Sequence, residues 1–367
     1  MMQRNRPIRV LIVDDSALVR RILADGMRRD PQIEVVGEAS NPYTARDLMV
    51  ELQPDVITLD VEMPRMDGVT FLKRFMSVMP IPTVVISSLT QQGTRIALEA
   101  LESGAVDVIP KPQTGVVDTL PKLLDDINRR VKAAAEVNVD HFKRTGRRDI
   151  EAVTALGETT DKVIAIGAST GGVEALGRIM PAFPANAPGI VIVQHMPAGF
   201  TATFAARMND LCNMQVKEAE DGDRILPGRI LIAPGGLRHM TVARSGGQYR
   251  IALTAGDEVN YSRPSVDVLF KSVAYAVGVN AAAAILTGMG KDGAEGLLDI
   301  RRAGGRTVVQ DEATSVVFGM PQMAWNLGGA ESIAPLEKIP ALLVRALQRS
   351  DEGNNNRNHS RSLKCQT

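Results

Sequence analysis

Short apolar runs alternate with amphipathic stretches twice along this 367-residue chain, and a polar segment separates the two series. In the first series the runs are IRVLIVD (8–14), IEVVGEA (33–39), DVITLD (55–60), TVVISS (83–88) and VDVIP (106–110), with helical patterns such as Ala17 to Met27 and Ala45 to Leu52 between them. Runs this short are strands, and strands joined through helices have to be parallel. Helices then cover both faces of the sheet, and any site sits at the carboxyl ends of the strands. From Asp161 the alternation resumes with KVIAIGA, GIVIVQH (189–195), AAAAILT (281–287) and RTVVQ (306–310). Within the second series, RILPGRILIAPGG and HMTVARSGGQYRIAL read as inserted hairpins, and Ser265–Val277 and Ala294–Ala303 as helices.

The polar break runs from about 133 to 160 and lacks periodic apolar residues, so it reads as a linker, helical at its start. The Asn-rich stretch 351–367 has the composition of a disordered tail. Four segments result: an α/β domain over 1–132, the linker over 133–160, a second α/β domain over 161–350, and the tail.

Basic and acidic side chains balance at 42 each, which argues against a nucleic-acid partner. No apolar run is long enough to span a membrane. The basic N-terminus leads into a strand that stops at two aspartates, which suits a buried first strand better than a signal peptide. Cys212 and Cys365 are far apart and form no disulfide framework, as expected of a cytoplasmic protein.

In the first domain, Asp14 and Asp15 close the first strand and Asp60 closes the third. If those strands are adjacent the carboxylates converge, and a hard cation such as Mg²⁺ is their natural partner. Lys111 follows the fifth strand and Ser87 ends the fourth. A carboxylate beside a cation, a lysine and a hydroxyl can accept a phosphoryl group. Taken singly, the aspartates would be helix caps and the lysine a surface residue; together they point to a site.

In the second domain, KVIAIGASTGG (162–172) ends a strand and opens a helix. Three readings fit this bend: a helix cap at Ser169 or Thr170, a phosphate-binding glycine loop, or a nucleophile elbow at Gly167-x-Ser169-x-Gly171. His195 ends the next strand, and Asp292 follows AAAAILT. A lone histidine here would be structural, and a lone aspartate would cap the helix that starts at 293–294. Serine, histidine and aspartate past three strands of one sheet instead suggest a hydrolytic triad. The order Ser, His, Asp differs from that of α/β-hydrolases, so this would be a convergent version. The amides near Thr170 and Met289 are candidate oxyanion donors. His239 lies in a hairpin-like region and receives no role.

Residues 8–130 resemble a response-regulator receiver domain, through Asp14-Asp15, the LDVEMPRMDG run, Ser87 and Lys111-Pro112. The resemblance implies a flavodoxin-like five-stranded parallel sheet, Asp60 as phosphoacceptor, Asp15 and Asp60 as Mg²⁺ ligands assisted by Asp14, and Ser87 and Lys111 on the phosphoryl group. Val108 stands where many receivers carry an aromatic switch residue, which puts the usual aromatic rotation in doubt. GASTGGVEAL, VQHMP and TGMGKDGAEGL resemble the catalytic domain of the chemotaxis protein-glutamate methylesterases, the CheB family. That implies a doubly wound, mostly parallel domain in which Ser169 is nucleophile, His195 general base and then acid, and Asp292 its orienting group, with no cofactor for the esterase step. The implied substrates are γ-glutamyl methyl esters of chemoreceptors, released as methanol, with receptor glutamines deamidated by the same chemistry. The implied phosphodonor is a chemotaxis-type histidine kinase, and the unphosphorylated receiver is expected to cover the active site.

Rival readings are a receiver-linked adaptor without activity, a DNA-binding regulator and a dinucleotide-dependent enzyme. No basic recognition helix follows the linker, which weakens the second, and Ser169 replaces the usual second glycine, which weakens the third.

Overall fold

The computed structural model describes residues 6–63, 68–111, 120–137, 150–151, 153 and 161–348. Most of the linker, the tail, Pro112 and residues 64–67 of the LDVEMPRMDG run lie outside the described residues. The chain forms two compact units, Met1–Gly146 and Arg147–Thr367.

The first unit alternates β1 (Ile8–Val13), α1 (Ala17–Met27), β2 (Ile33–Ala39), α2 (Pro42–Leu52), β3 (Val56–Asp60), α3 (Gly68–Val78), β4 (Thr83–Ser87), α4 (Gln91–Glu102), β5 (Asp107–Pro110) and α5 (Leu120–Ala134). Every strand pairing is parallel, in the order β2-β1-β3-β4-β5. Local chemistry sets the element ends. Asn41 caps α2 by accepting from the Tyr43 and Thr44 amides, and Pro42 fills the first helical position, where its missing N–H costs nothing. β3 and β4 are buried along their full length, as expected of central strands covered on both faces. The order reverses direction between β1 and β3, so their carboxyl ends open into one crevice. Helix α5 runs to Ala134, so the polar segment does begin in helix.

The second unit comprises β6 (Val163–Ala168), α6 (Gly172–Ile179), β7 (Gly189–Gln194), α7 (Phe200–Leu211), β8 (Gln215–Glu218), β9 (Arg229–Ile232), β10 (Arg238–Ser245), β11 (Gln248–Ala255), α8 (Val266–Ala276), β12 (Ala281–Ile285), α9 (Ala294–Arg302), β13 (Arg306–Gln310), α10 (Met320–Asn326) and β14 (Ser332–Ala334). Seven strands form a parallel sheet in the order β14-β13-β12-β6-β7-β9-β8. From β6 the chain winds one way through β7 to β9, and from β12 it winds the other way to β14. The β6–β12 junction is therefore the switch point of this sheet. β12 reads AAAAI and is buried at every position. Small side chains there let α8 and α9 seat close to the sheet, where Leu269, Phe270, Leu297 and Ile300 join one continuous core.

β10 and β11 form an antiparallel hairpin apart from the main sheet, closed at Gly246-Gly247. The segment RILPGRILIAPGG is not a hairpin. Its RILI run is β9, which pairs in parallel with both β7 and β8. Pro-Gly on each side imitates hairpin turns, but β9 is buried from Ile230 to Ile232 and returns through a crossover from β8. β8 and β14, short edge strands, carry too little apolar sequence to stand out.

Candidate active site and acceptor site

At the switch point of the second unit the parallel register delivers three chain segments to one edge. β6 pairs with β7 through Ala168 and Gln194, and with β12 through Gly167 and Ile285. The ladder continues past the strands, because His195 N–H donates to Ala168 O at 3.0 Å and Ser169 N–H to Thr287 O at 3.1 Å. Ser169 thus lies between the segments that carry His195 and Asp292.

The turn at Ser169 is held from several sides. Gln194 Nε2, which sequence reasoning missed, donates to Ser169 O at 2.9 Å and to His195 O at 3.2 Å. Thr287 Oγ1 donates to Thr170 O at 2.9 Å. α6 is capped by Gly171 at φ 77°, without a side-chain cap, so neither Ser169 nor Thr170 serves as its N-cap. A Cβ at Gly171 would also lie 2.6 Å from Val316 Cβ, so both backbone and space call for glycine. Gly288 presses still closer: a Cβ there would sit 2.8 Å from Ser169 Cβ and 2.4 Å from Met320 Sδ. The next residue, Met289, is thereby brought beside the serine. Among the described residues its amide donates to no group of the chain.

His195 Nε2 meets Asp292 Oδ2 at 2.8 Å. A carboxylate can only accept, so Nε2 carries the proton and Nδ1 is the free base. Asp292 does not cap α9, whose N-cap is Gly293 with no side-chain bond. Its carboxylate is turned to the N-terminus of α8. There it accepts from Ser265 Oγ at 2.7 Å, Val266 N at 2.7 Å and Asp267 N at 3.2 Å, and from Asn260 Nδ2 at 3.2 Å. Burial alone would raise this carboxyl, but the His195 bond and charge with the bonds from Ser265 and Val266 hold it below its ordinary value. Asp267, a second buried carboxyl beside it, is raised by burial and by the Asp292 charge. It accepts from Asn260 Nδ2 at 2.8 Å and Gly296 N at 2.7 Å.

His239 has a structural part in this network. It is buried, and its Nδ1 accepts from Ser265 N at 3.1 Å, so its Nε2–H donates to Asp257 O at 2.8 Å. Ser262 Oγ lies 3.4 Å from His195 Nδ1. Among the described residues no hydrogen bond joins Ser169 Oγ to His195. Asn260, Ser262, Ser265 and Asp267 escaped sequence reasoning because they lie before or in the first turn of a helix and end no strand. The run RPSVDV did carry a capping signal, since Ser265 accepts from Val268 N as the N-cap of α8.

In the first unit, Asp14, Asp15 and Asp60 bring ligand oxygens within 4.8 Å of one another. Lys111 Nζ lies 2.7 Å from Asp60 Oδ2 and 3.8 Å from Asp14 Oδ2. One lysine does not balance this cluster. Burial, then the Asp60 charge, pushes the Asp14 carboxyl up to about 6, and its Oδ2 is buried without a hydrogen bond. Burial also raises Asp60 against its bonds from Lys111 and the Glu62 amide, while Asp60 raises Lys111 against burial. An orphaned buried carboxylate oxygen among hard oxygen donors fits a divalent cation. Ser87 ends β4, but its hydroxyl donates to Gly93 O at 3.0 Å. Among the described residues no hydrogen bond joins that hydroxyl to Asp60 or Lys111, although the Lys111 amide donates to Ser87 O at 2.8 Å. Glu62 instead clasps Ser88, accepting from its amide at 2.9 Å and its hydroxyl at 3.0 Å. Val108 is buried in β5.

Residues 164–343 match the CheB methylesterase family, and residues 10–122 match the response regulator receiver domain. A protein-glutamate methylesterase/protein-glutamine glutaminase of Syntrophotalea carbinolica is 55% identical over 347 residues, covering 93% of this chain and 98% of that one. One of the group 2 operon of Cereibacter sphaeroides is 56% identical over 338 residues, covering 92% and 91%. The crystal structure of the Thermotoga maritima CheB methylesterase catalytic domain shares 41% identity, covers 50% of this chain and 97% of its own, and superposes with a TM-score of 0.49. With two family matches in tandem and relatives more than half identical along nearly its full length, this chain belongs to the CheB methylesterase family and carries a response regulator receiver domain ahead of the methylesterase domain.

Proposed function

We propose that this protein is a phosphorylation-regulated serine hydrolase that demethylates γ-glutamyl methyl esters on the cytoplasmic helices of chemoreceptors and deamidates receptor glutamines. The observation that carries the reading is the 2.8 Å His195–Asp292 pair at the sheet's switch point, with Ser169 set between their two segments. The names of the relatives support the substrate.

Asp292 holds Nε2, so the proton of Ser169 passes to Nδ1 of His195 as its Oγ attacks the side-chain carbonyl. The carbonyl oxygen gains the negative charge, and the Met289 and Thr170 amides are the donors assigned to it. The tetrahedral centre collapses, and His195 gives its proton to the leaving ester oxygen or to the leaving amide nitrogen, so that methanol or ammonia departs. An acyl ester on Ser169 remains. Water, deprotonated by Nδ1, hydrolyses that ester to glutamate and restores Ser169. Asp292 stays ionised throughout and stabilises the imidazolium.

Asp60 is the proposed phosphoacceptor, charged by a histidine kinase of the chemotaxis type. Asp15 and Asp60, with Asp14, would hold Mg²⁺, which when bound neutralises charge on the phosphoryl oxygens. Lys111 already points at Asp60 and serves the same charge, and Ser87 would have to release Gly93 to take part. The proposed workplace is the cytoplasm; no helix among the described residues is long and apolar enough to cross a membrane.

Methanol release from methylated receptor membranes tests this, comparing the intact chain with Ser169→Ala, with and without a small-molecule phosphodonor plus Mg²⁺. Serine-dependent release that rises with the phosphodonor is expected. No release from the folded intact chain under any condition would favour a receiver-linked adaptor without activity.

A further inference from the structure

The segment between β11 and α8 closes on itself at Val259 and Ser262, which exchange both backbone hydrogen bonds at 3.1 and 3.0 Å. The two central residues, Asn260 and Tyr261, have φ of 52° and 61°. This is the primed hairpin-turn geometry that ordinarily takes glycine at its second central position, and a tyrosine there is strained. Tyr261 is 77% exposed, so its own burial does not offset that strain.

The contacts that the turn secures lie on either side of the tyrosine. Asn260 Nδ2 bridges two buried carboxylates, Asp267 at 2.8 Å and Asp292 at 3.2 Å. Two residues on, Ser262 Oγ stands 3.4 Å from His195 Nδ1. One turn therefore touches both members of the pair, Asp292 at its carboxylate and His195 at Nδ1. We propose that the Asn260–Tyr261 turn is a positioning element of the hydrolase, in which Asn260 aims the Asp292 carboxylate and Ser262 steadies the imidazole until Ser169 takes over Nδ1. The Ser262 hydroxyl donates to Nδ1 in the resting enzyme, which favours the tautomer with the proton on Nε2 toward Asp292. The attacking serine then replaces one donor by another, and the ring need not turn. The Asn260 amide also separates Asp267 from Asp292, so that a second buried negative charge does not displace the first.

This inference rests on the esterase reading, so Ser169→Ala is run alongside. The test is steady-state methanol release from methylated receptor membranes by the intact, phosphodonor-treated chain. Asn260→Gly relaxes the positive-φ backbone while deleting the bridging amide. It is expected to keep or raise the melting temperature while kcat falls about tenfold and KM stays within about twofold, as misaimed groups act on the transition state and not on substrate binding. Ser262→Ala is expected to lower kcat about fivefold, and Ser262→Thr, which retains the hydroxyl, to restore it. A purely architectural turn would instead lose melting temperature in step with activity. If Asn260→Gly does not fold, the Ser262 pair decides. Wild-type kcat in Ser262→Ala and in any folded Asn260→Gly, with Ser169→Ala dead, would overturn the positioning role and leave the esterase intact. Full activity in Ser169→Ala would instead sink the esterase reading itself.

Discussion

Replacing Asp292 by asparagine keeps its size and removes its charge, and the five donors around it decide how the new amide sits. Oδ1 accepts from Ser265 Oγ, Asp267 N and Asn260 Nδ2, and Oδ2 accepts from His195 Nε2 and Val266 N. An amide offers one oxygen and one NH₂. With its oxygen toward the first group, the NH₂ faces the fixed Val266 N–H and His195. With its oxygen toward the second, it faces the Asp267 N–H and the Asn260 amide. The first arrangement leaves fewer immovable clashes, so it is the one expected. His195 then has to accept at Nε2, which moves its proton to Nδ1, the nitrogen that must take the proton of Ser169. A wrong tautomer of this kind lowers kcat by about 10⁴ in the serine protease triad, and a loss of about 10³–10⁴ is expected here. Stability falls by about 2 kcal/mol, the cost of one buried N–H left facing a donor, with some of it returned by the removed buried charge. For a unit of this size that is about 4–8 °C in melting temperature. Methanol release measures the first effect, calorimetry the second, and nitrogen-15 shifts of the His195 ring the tautomer. A folded Asp292→Asn chain with kcat within tenfold of the parent, and the proton still on Nε2, would refute the reasoning.

Three further outcomes are expected. Gly288→Ala places a methyl 2.8 Å from Ser169 Cβ and 2.4 Å from Met320 Sδ; it should cost about 1–3 kcal/mol and reduce kcat at least tenfold, read from chemical unfolding and methanol release. Asp14→Asn should stabilise the receiver in metal-free buffer. The Asp14 carboxyl titrates near 6 in the fold against 3.8 unfolded, so the native state binds the extra proton between those values and loses stability as pH rises through them. The gain from the amide is therefore about 2–3 kcal/mol at pH 7.5 and nothing below pH 4, measured by hydrogen exchange in β1, and saturating Mg²⁺ reverses its sign. Deleting residues 1–158 should raise basal methanol release if the receiver restrains the esterase, and unchanged or lower release from a folded fragment would remove that model of control.

Much of the architecture was legible because apolar runs of five or six residues each end in a residue with chemistry: Asp14 after β1, Asp60 in β3, His195 after β7. A buried parallel strand advertises itself by such a run, and the residue that ends it is placed at the sheet's edge. β9 was misread for a physical reason: its flanking Pro-Gly pairs are compatible with either a hairpin or a crossover, and only tertiary pairing decides. Edge strands β8 and β14 bury one face at most and leave a weak trace. At the candidate active site, the segment contributions of Ser169, His195 and Asp292 followed from topology. Asn260, Ser262 and Ser265 did not, because they reach the site through side-chain geometry of an irregular loop. The cap reading of Asp292 failed in an informative way: the residue stands just before α9, but its carboxylate accepts from the N-terminus of α8, earlier in the chain.

The alanine strand β12 has a consequence for fluctuation as well as for packing. Alanine has no rotamers to populate, so Ala281 to Ala284 carry no side-chain disorder and lose none on folding. The Met289 turn and the Asp292 corner both hang from the end of this strand, and Ser169 hangs from its neighbour. The placing of Ser169 relative to the buried Asp292 carboxylate is therefore referred to a strand whose four alanines leave little side-chain freedom for the backbone to follow.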